Sequence, residues 1–444
     1  MPLHRVKRAI GSASRTLALT VALGGCTQDR ASSDPIGASA VGPASGSTSS
    51  GGGNHAGGGG PGGGGAAGGG GPGGGGTTGG DGAGGALGDV PIVEEPESPC
   101  SENTAATPVV VLEEADDLGI ERLTVVGGRR AMIGAGGFVV FDDDGGNPSG
   151  LVSLGEDGVH VGASEGPTLG VASVSELADE SSQEVLFQRY DDEGVAVGDE
   201  LSLGPAPTSP ALIGGGSGTS LVGWGYIGDE ELGEKSGLLM NGVGPDGALT
   251  GPGFAIEEET FSNTLIGSVV PTGSSFAVLW SGDQGAGFLT SFAKVSTQGA
   301  LGAVTNVISS APVHKMRRMV KTQAGFAVLF QGGIPADAVY VVLLDEDGIV
   351  VPPAHRYLGA KYALDLAVQG DEIGLLAVQQ DDRPAFRPLG ADGAVQGPWV
   401  CLTEPQFGAQ AALDADGAGY AMVYRTPGGA VELLKTDSLG SGAP

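Results

Sequence analysis

The sequence is poor in cysteine, histidine, aromatic residues and basic residues. Its 444 residues contain 3 Cys, 5 His, 5% aromatic residues, and 21 Lys and Arg against 52 Asp and Glu, for a net charge of −31. So acidic a chain repels phosphate backbones, which excludes general nucleic-acid binding. The few aromatic residues offer no obvious stacking platform for sugars. Without paired histidines or a Cys-x-x-Cys spacing, we expect no metal site and no cofactor.

The N-terminal region lacks an apolar run long enough to span a membrane. Arg5, Lys7 and Arg8 precede residues 17–23, which are apolar apart from one threonine. A membrane-spanning helix needs about 20 apolar residues. Positive charge followed by a short apolar run is instead typical of a signal peptide, here residues 1–25.

The apolar run ends in Leu23-Gly24-Gly25-Cys26, which resembles the bacterial lipobox. The resemblance implies that Cys26 becomes the acylated N-terminus, carrying chains such as palmitate. Several acyl chains on one residue anchor a protein stably to a membrane. Because Thr27 is not aspartate, the resemblance favours the outer membrane, with the domain periplasmic or surface-exposed. The alternative is an ordinary secretory signal with an incidental cysteine.

Residues 26–97 lack the apolar residues that a core requires. Between residues 51 and 80, 21 of the 30 positions are glycine. Such a composition predicts a disordered, flexible tether with a reach of roughly 40–50 Å. Its function would be to hold the following domain away from the anchor.

A repeated unit of two β-hairpins occupies the rest of the chain. Its second strand reads Phe276-Ala277-Val278-Leu279-Trp280 and returns at residues 326–330 and 420–424. We expect tight turns with positive φ at both central residues, for which Asp-Gly is favoured. The turns end at Gly158, Gly194, Gly247, Gly299, Gly348, Gly393 and Gly440.

The spacing of these glycines predicts an all-β fold, a β-propeller at residues 98–444. Successive glycines lie 36, 53, 52, 49, 45 and 47 residues apart. Periods of 40–50 residues with about four strands each are typical of propeller blades. Seven turns predict seven blades, with six as the alternative because the first spacing is short. Two stacked β-sandwiches are the other all-β interpretation.

The two ends of the repeat region are expected to meet. Too few residues follow Gly440 to form an outer strand, and residues 108–112 can supply it, which removes an exposed sheet edge. This closure brings Cys100 toward Cys401 and predicts a disulfide between them, with two free thiols as the alternative. Signal, tether and repeats together resemble the propeller lipoproteins of bacteria with large, GC-rich genomes, a resemblance that implies no active-site residues.

Local matches to catalytic and ion-binding motifs have simpler explanations. Residues 162–166 match Gly-x-Ser-x-Gly beside His160, but no helix follows to form a nucleophile elbow. Residues 228–236 are a near miss to a phosphate-binding loop, interrupted by Glu234. The acidic runs at 142–145 and 345–348 could bind calcium weakly, although turn chemistry explains them.

One basic segment, residues 314–321, stands out against the acidic background. Aligning the second strands places it on the innermost strand of its blade, with Arg318 equivalent to Ser268 and Asp365. Lys315, Arg317 and Arg318 are therefore a candidate patch for an anionic ligand such as a carboxylate-bearing glycan. The structural alternative is that Arg318 pairs with Asp365 or another acid.

Taken together, these features predict a membrane-anchored, monomeric binding or scaffold lipoprotein with a protein or glycan partner. No clustered catalytic residue types point to an enzyme. A propeller-type glycan lyase or hydrolase is the alternative, since paired carboxylates could do acid–base chemistry. A structural envelope protein without a ligand is a third interpretation. Propellers host many functions, so the fold does not decide between them.

Overall fold

The computed structural model describes residues 90–102, 107–114, 118–154, 161–164, 166–176, 183–205, 210–216, 218–226, 236–258, 266–283, 288–310, 314–332, 338–417 and 419–437. The signal peptide, Cys26 and the tether up to residue 89 lie outside these ranges. Within them the chain forms strands and no helix. None of these residues therefore belongs to a helix long and apolar enough to cross a membrane.

Three N-terminal strands and four sheets make up the first half of the described chain. Each sheet is a blade of four antiparallel strands in chain order. The N-terminal strands are β1 (Ile92–Glu95), β2 (Ser101–Glu102) and β3 (Val109–Leu112). Blade 1 contains β4 (Arg122–Val126), β5 (Arg129–Gly134), β6 (Gly137–Phe141) and β7 (Val152–Ser153); blade 2 contains β8 (Val161–Ser164), β9 (Leu169–Glu176), β10 (Gln183–Tyr190) and β11 (Ala196–Pro205); blade 3 contains β12 (Pro210–Gly216), β13 (Thr219–Tyr226), β14 (Ser236–Val243) and β15 (Phe254–Glu258); blade 4 contains β16 (Ile266–Pro271), β17 (Ser275–Asp283), β18 (Phe288–Ser296) and β19 (Leu301–Ser310).

Three further blades complete the fold and take up the N-terminal strands. Blade 7 has only three strands from this part of the chain. Blade 5 contains β20 (His314–Lys321), β21 (Gly325–Gly332), β22 (Val339–Asp345) and β23 (Val350–Tyr357); blade 6 contains β24 (Ala360–Gln369), β25 (Glu372–Gln379), β26 (Pro384–Leu389) and β27 (Val400–Cys401); blade 7 contains β28 (Ala411–Asp416), β29 (Gly419–Arg425) and β30 (Val431–Asp437).

The blades form a closed ring of seven. Each innermost strand, the first of its blade, packs against that of the next blade, and β28 of blade 7 packs against β4 of blade 1. The predicted propeller is therefore confirmed with seven blades. The predicted repeat strands at residues 276–280, 326–330 and 420–424 are the second strands β17, β21 and β29.

The core lies between the blades, in seven hydrophobic clusters, one at each interface. The second strands build it because successive side chains point to opposite faces of a strand. In β17, Val278 and Trp280 pack against blade 3, while Ala277 and Leu279 pack against blade 5. All four are fully buried, so a second strand carries a continuous apolar run rather than an alternating pattern.

The acidic-Gly turns differ from the expected type. In the turn at residues 345–348, the Gly348 N–H donates to Asp345 O (3.1 Å), and only Gly348 has a positive φ, of 79°. This is the arrangement of a type I turn with a glycine bulge, so positive φ is needed at the glycine alone. The Asp345 carboxylate also accepts the backbone N–H groups of Asp347 and Ile349, at 2.9 Å each. Turn chemistry thus accounts for this acidic run.

The acidic-Gly turn of blade 1 lies at a different place in the sequence from the one expected. It is at residues 142–145, where the Gly145 N–H donates to Asp142 O (2.8 Å) and Gly145 has a φ of 86°. Gly145 lies 49 residues before Gly194, which matches the other spacings. The short first spacing therefore came from choosing Gly158, which lies outside the described residues.

The N-terminal strand β3 closes the ring by completing blade 7. It is antiparallel to β30, with Val109 opposite Leu433 and Val110 opposite Glu432. Val111 is 4% exposed and joins the cluster between blades 7 and 1. The predicted closure is confirmed, and with it the disulfide, since Cys100 and Cys401 are bonded.

Residues 90–102, which we call the N-terminal strap, run along the outer edges of blades 5 and 6. Strand β1 adds to β23 in parallel, and β2 adds to β27 in parallel. The sequence analysis assigned residues 92–95 to the tether, whereas they are the fifth strand of blade 5. Pairing with an existing sheet edge stabilises this short segment, which has no apolar core of its own.

Candidate functional site

The innermost strands present a row of polar side chains at one register position. Arg122, Ser268, Arg318 and Asp365 pair across their hairpins with Ile133, Leu279, Leu329 and Leu376, which are equivalent residues of the second strands. The expected equivalence of Ser268, Arg318 and Asp365 is therefore confirmed. The structure adds Arg122 of blade 1 to this set.

Arg318 and Asp365 form an ion pair between blades 5 and 6. Arg318 Nε lies 3.4 Å from Asp365 Oδ1, and the Asp365 side chain is only 4% exposed. The two Asp365 oxygens also accept the backbone N–H groups of Leu366 (2.8 Å) and Leu413 (2.9 Å). Asp365 thus joins three blades, and the structural interpretation of Arg318 is the one observed.

Arg122 extends from blade 1 across the channel that the innermost strands enclose. Its Nη1 donates to Ile213 O of blade 3 at 3.5 Å. Burial and, to a smaller extent, the charge of Arg318 lower the pKa of Arg122 to about 9, against the opposing effect of Asp365 and Asp414. The guanidinium therefore remains protonated at neutral pH, near a second cation and two carboxylates.

Asp414 is the channel group whose charge changes near neutral pH. Burial raises its pKa to about 6, and the charge of Asp365 also raises it. Arg130, the Ala415 N–H and Arg318 act in the opposite direction. Arg122, Arg318, Asp365 and Asp414, which we call the channel cluster, can therefore take up a proton at mildly acidic pH.

The three residues of the candidate ligand patch have different surroundings. A bulge between Met316 and Arg318 leaves Arg317 outside the strand pairing. Arg317 is exposed, and its Nε and Nη2 donate to Gln331 Oε1 at 3.1 and 2.9 Å. The backbone of Lys315 pairs with Gln331, while its side chain lies outside the described part of the structure. Arg317 and Arg318 thus do not share a partner.

The weaker sequence motifs lie only partly within the described residues. Residues 162–164 lie in β8, which is followed by strand β9 rather than a helix, so no nucleophile elbow forms. His160, Glu165 and most of the loop at 228–236 lie outside the described residues. His355 is buried, with Nδ1 2.7 Å from Glu95 Oε1. Among the described residues, no group of three or more His, Cys, Asp and Glu is placed to hold a metal.

A cleft of about 880 Å³ lies between blades 2 and 3. Arg189 lines it and donates from Nη2 to Gly218 O (3.2 Å) and Gly244 O (2.6 Å) of blade 3. Its guanidinium also lies 5.5 Å from the Phe187 ring centroid. Arg189 thus serves to hold the turns of blade 3 against blade 2.

Sequence reasoning missed Arg122 and Asp414. In the second strand of blade 1, Arg130 stands where the second strands of blades 4, 5 and 7 have the aromatic residue that identified the repeat. Aligning Ala131-Met132-Ile133 with Ala277-Val278-Leu279 would have placed Arg122 at the same register position as Arg318. Asp414 is two pairing positions removed from this row, opposite Ala421, and no register argument selects it.

Comparison with known proteins finds similarity to solved structures alone. No family model and no curated protein matches this sequence. Many solved structures share its fold. The chain is a seven-bladed β-propeller. It is similar to a puromycin hydrolase (13% identity, 79% of this chain, 56% of that chain, TM-score 0.48) and to a prolyl endopeptidase (13%, 74%, 49%, 0.45).

A third similar structure is a separate propeller domain. The β-propeller domain of the trilobed protease from Pyrococcus furiosus is 8% identical over 72% of this chain and 93% of that domain, with a TM-score of 0.41. The present propeller spans about half the length of the two peptidases named above. These similarities concern the fold alone and say nothing about substrates.

Proposed function

We propose that this protein is a lipid-anchored binding protein of the bacterial cell envelope. Cys26 would carry the acyl anchor in the outer membrane, and the Gly-rich segment would present the propeller, as a monomer, to a protein or glycan partner. The lipobox-like Leu23-Gly24-Gly25-Cys26 and the composition of residues 51–80 support the anchor and the tether.

The attachment of the N-terminal strap is the observation that carries this proposal. Strand β1 pairs with blade 5, and Cys100 is bonded to Cys401 of blade 6 before the chain reaches β3. A force applied through a tether therefore meets the β1 pairing first and the disulfide next. The closing strand β3 lies beyond the disulfide, so the ring is protected from that force. Such a joint suits a propeller displayed on a tether.

Binding is the activity that suits a closed, rigid ring with polar side chains in its channel. The candidate ligand patch, Lys315, Arg317 and Arg318, lies on the innermost strand β20. Arg317 is its most available member because it is exposed and bonded only to a neutral amide among the contacts described. An anionic group on a partner would displace Gln331 and form a charge-assisted hydrogen bond.

A retention experiment on the organism's own envelope fraction tests binding. The mature chain carrying Cys26→Ser serves as soluble bait, beside Arg317→Glu and a control, Gln298→Glu, at an exposed turn of blade 4. Arg318 is unsuitable for charge reversal because a glutamate there would face Asp365. We expect a partner that is retained by the bait and by the control and is lost with Arg317→Glu. Equal retention by all three would exclude the patch, and no retained partner would contradict the binding function.

An enzyme remains the second candidate because of Asp414 and Asp365. A carboxyl group with a pKa raised to about 6 suits a general acid, and a nearby carboxylate could act as base. However, both Asp365 oxygens accept backbone N–H groups and one also faces Arg318. Asp365 is therefore better suited to joining the blades than to accepting a substrate proton. Hydrolysis of an envelope glycan by the bait, abolished by Asp414→Asn, would establish the enzyme instead.

A further inference from the structure

A second polar pocket lies between the N-terminal strap and blade 6. It has a volume of about 460 Å³ and is lined by strap residues 97–100, by Gly359 and by residues 379–381 at the turn between β25 and β26. A cavity of this size accommodates a small ligand. Because Cys100 is one of its lining residues, the disulfide to Cys401 holds one wall in place.

Two lining side chains have buried polar atoms without a hydrogen-bond partner among the described residues. Gln379 is 5% exposed, and its Nε2 has no acceptor; Ser98 Oγ also has none. An unsatisfied buried donor destabilises the folded state, so such groups usually have a partner. Both residues line the pocket, and because neither atom is accessible to solvent, each side chain must turn into the pocket before a ligand oxygen can accept from it.

The pocket lining also contains acceptors, the exposed carboxylates of Glu97 and Asp381. Asp381 accepts the Arg383 backbone N–H (3.3 Å), and its Oδ2 lies 3.2 Å from Arg383 Nε. These carboxylates disfavour an anionic ligand, while a purely cationic ligand could not accept from Gln379 Nε2. A hydroxyl group both donates and accepts. The mixture of buried donors and exposed acceptors is thus complementary to a neutral polyhydroxyl compound.

Two exposed aromatic rings lie next to this turn. Of the aromatic side chains whose exposure the structure describes, Phe407 is 102% exposed and Tyr362 is 40% exposed. Each ring follows directly in sequence a residue that contacts Asp382. The Gln406 N–H donates to Asp382 O (3.0 Å). Lys361 Nζ lies 2.8 Å from Asp382 Oδ1 and 5.2 Å from the centroid of the Tyr362 ring. Aromatic faces pack well against the apolar C–H faces of pyranose rings. The fold therefore exposes two aromatic rings next to the turn that lines the pocket, although the composition alone suggested no stacking surface.

We propose that this pocket binds one neutral sugar residue of a glycan, and that Phe407 and Tyr362 stack on the adjoining residues. Gln379 Nε2 and Ser98 Oγ donate to ring or hydroxyl oxygens, and Glu97 and Asp381 accept from hydroxyl groups. The assignment rests on the proposed binding function and names the ligand class of a site separate from the channel cluster. Reduction of the disulfide would release the strap wall and weaken binding.

Calorimetric titration of the mature Cys26→Ser chain tests the proposal. The probes are glucose, galactose, mannose, N-acetylglucosamine and their β1,4-linked dimers, with glucuronate and spermidine as charged probes. We expect at least one neutral probe to bind at up to millimolar concentration, and Gln379→Met to weaken it by about tenfold or more, since the variant removes the donor at similar volume. Phe407→Ala should weaken the dimer more than the monosaccharide.

Matched variants separate this site from general effects on stability. Gln298→Met changes an exposed glutamine on blade 4, and Val195→Ala removes an exposed apolar side chain on blade 2 (56% exposed). Both should leave sugar binding unchanged. No binding of any neutral probe, unchanged binding in Gln379→Met, or preference for a charged probe would overturn the proposal. If sugar binding is absent while an envelope partner is still retained through Arg317, the pocket proposal fails and the binding function stands.

Discussion

Arg318 Nε lies 3.4 Å from Asp365 Oδ1, across the boundary between blades 5 and 6. The two residues occupy the same register position in neighbouring blades, opposite Leu329 and Leu376. The same position of two successive repeats therefore carries opposite charges, which lie side by side at the centre of the ring. The two charges neutralise each other, and the pair fixes two blades relative to each other.

Removing the carboxylate of this pair should destabilise the propeller strongly. Asp365→Ala leaves Arg318 without its counter-charge and the Leu413 N–H without an acceptor, so we expect a loss of about 3–5 kcal/mol in the free energy of unfolding. Asp371→Ala, at an exposed turn of the same blade, should change it by less than about 0.5 kcal/mol. Urea unfolding measures both. A double-mutant cycle with Arg318→Met that gives no coupling energy would contradict the role of the pair.

The disulfide should contribute substantially to stability. Replacing Cys100 and Cys401 by serine removes a bond that closes a loop of 301 residues, for which the chain-entropy model gives a loss of about 5 kcal/mol. Hydrogen exchange in β1 and β2 should also accelerate, because the strap loses its covalent attachment. A reducing agent should shift the unfolding midpoint of the wild type to that of the variant and leave the variant unchanged. Equal midpoints without reductant would show that the bond stabilises nothing.

The closing strand offers a matched pair of substitutions. Val111 is 4% exposed between blades 7 and 1, whereas its neighbour Val110 is 44% exposed and lies opposite Glu432. Val111→Lys buries an unpaired charge and should cost about 3 kcal/mol or more. Val110→Lys faces Glu432 and should remain within about 0.5 kcal/mol of the wild type. Similar losses for both variants would mean that β3 does not close the ring in this register.

The raised pKa of Asp414 predicts a specific dependence of the free energy of unfolding on pH. Burial raises its folded-state pKa to about 6, above the value of about 3.9 expected in the unfolded chain. The folded state therefore binds this proton more tightly, and the stability it contributes is complete below pH ~4 and is lost as the pH rises through about 6. Asp414→Asn should remove this dependence. As the pH rises from about 4 to above about 6, the free energy of unfolding of the variant should come to exceed that of the wild type by about 2–3 kcal/mol.

Urea unfolding at several pH values measures this difference directly. Asn retains the oxygen that accepts the Ala415 N–H, so the comparison isolates the charge. Asp246→Asn, in an exposed turn of blade 3, provides the control and should leave the pH dependence as it is. A wild type and an Asp414→Asn variant with parallel pH profiles would show that the carboxyl does not titrate in the folded range.

The architecture was largely predictable because its signals are local and repeated. Second strands such as residues 276–280, together with turn glycines, give the blade count, and the missing last strand of blade 7 gives the closure. The blade 1 turn was misplaced because residues 142–145 and 156–158 carry the same acidic-Gly chemistry. The turn type was also wrong, since bulged and two-residue turns both favour Asp-Gly. Local chemistry alone does not distinguish them.

The candidate sites were predictable only in part, because they depend on contacts between distant segments. The register argument related Arg318 to Asp365, but Arg122 reaches the channel from a blade whose repeat is degenerate. The strap strands were missed because their own composition does not indicate strands. They become strands by pairing with blades 5 and 6. Gln379 and Ser98 lie 281 positions apart, and no sequence pattern brings them to one pocket.

The central claim is that an acyl anchor holds the propeller at a membrane. The mass and location of the mature chain test this claim most directly. The full sequence and a Cys26→Ser variant are expressed in a bacterium that processes lipoproteins, and the membrane fraction is analysed by intact-mass spectrometry. The account predicts a membrane-bound chain that begins at Cys26 and carries diacylglyceryl and N-acyl groups, with the variant released in unacylated form. An unacylated wild-type chain cleaved elsewhere, and as soluble as the variant, would contradict it.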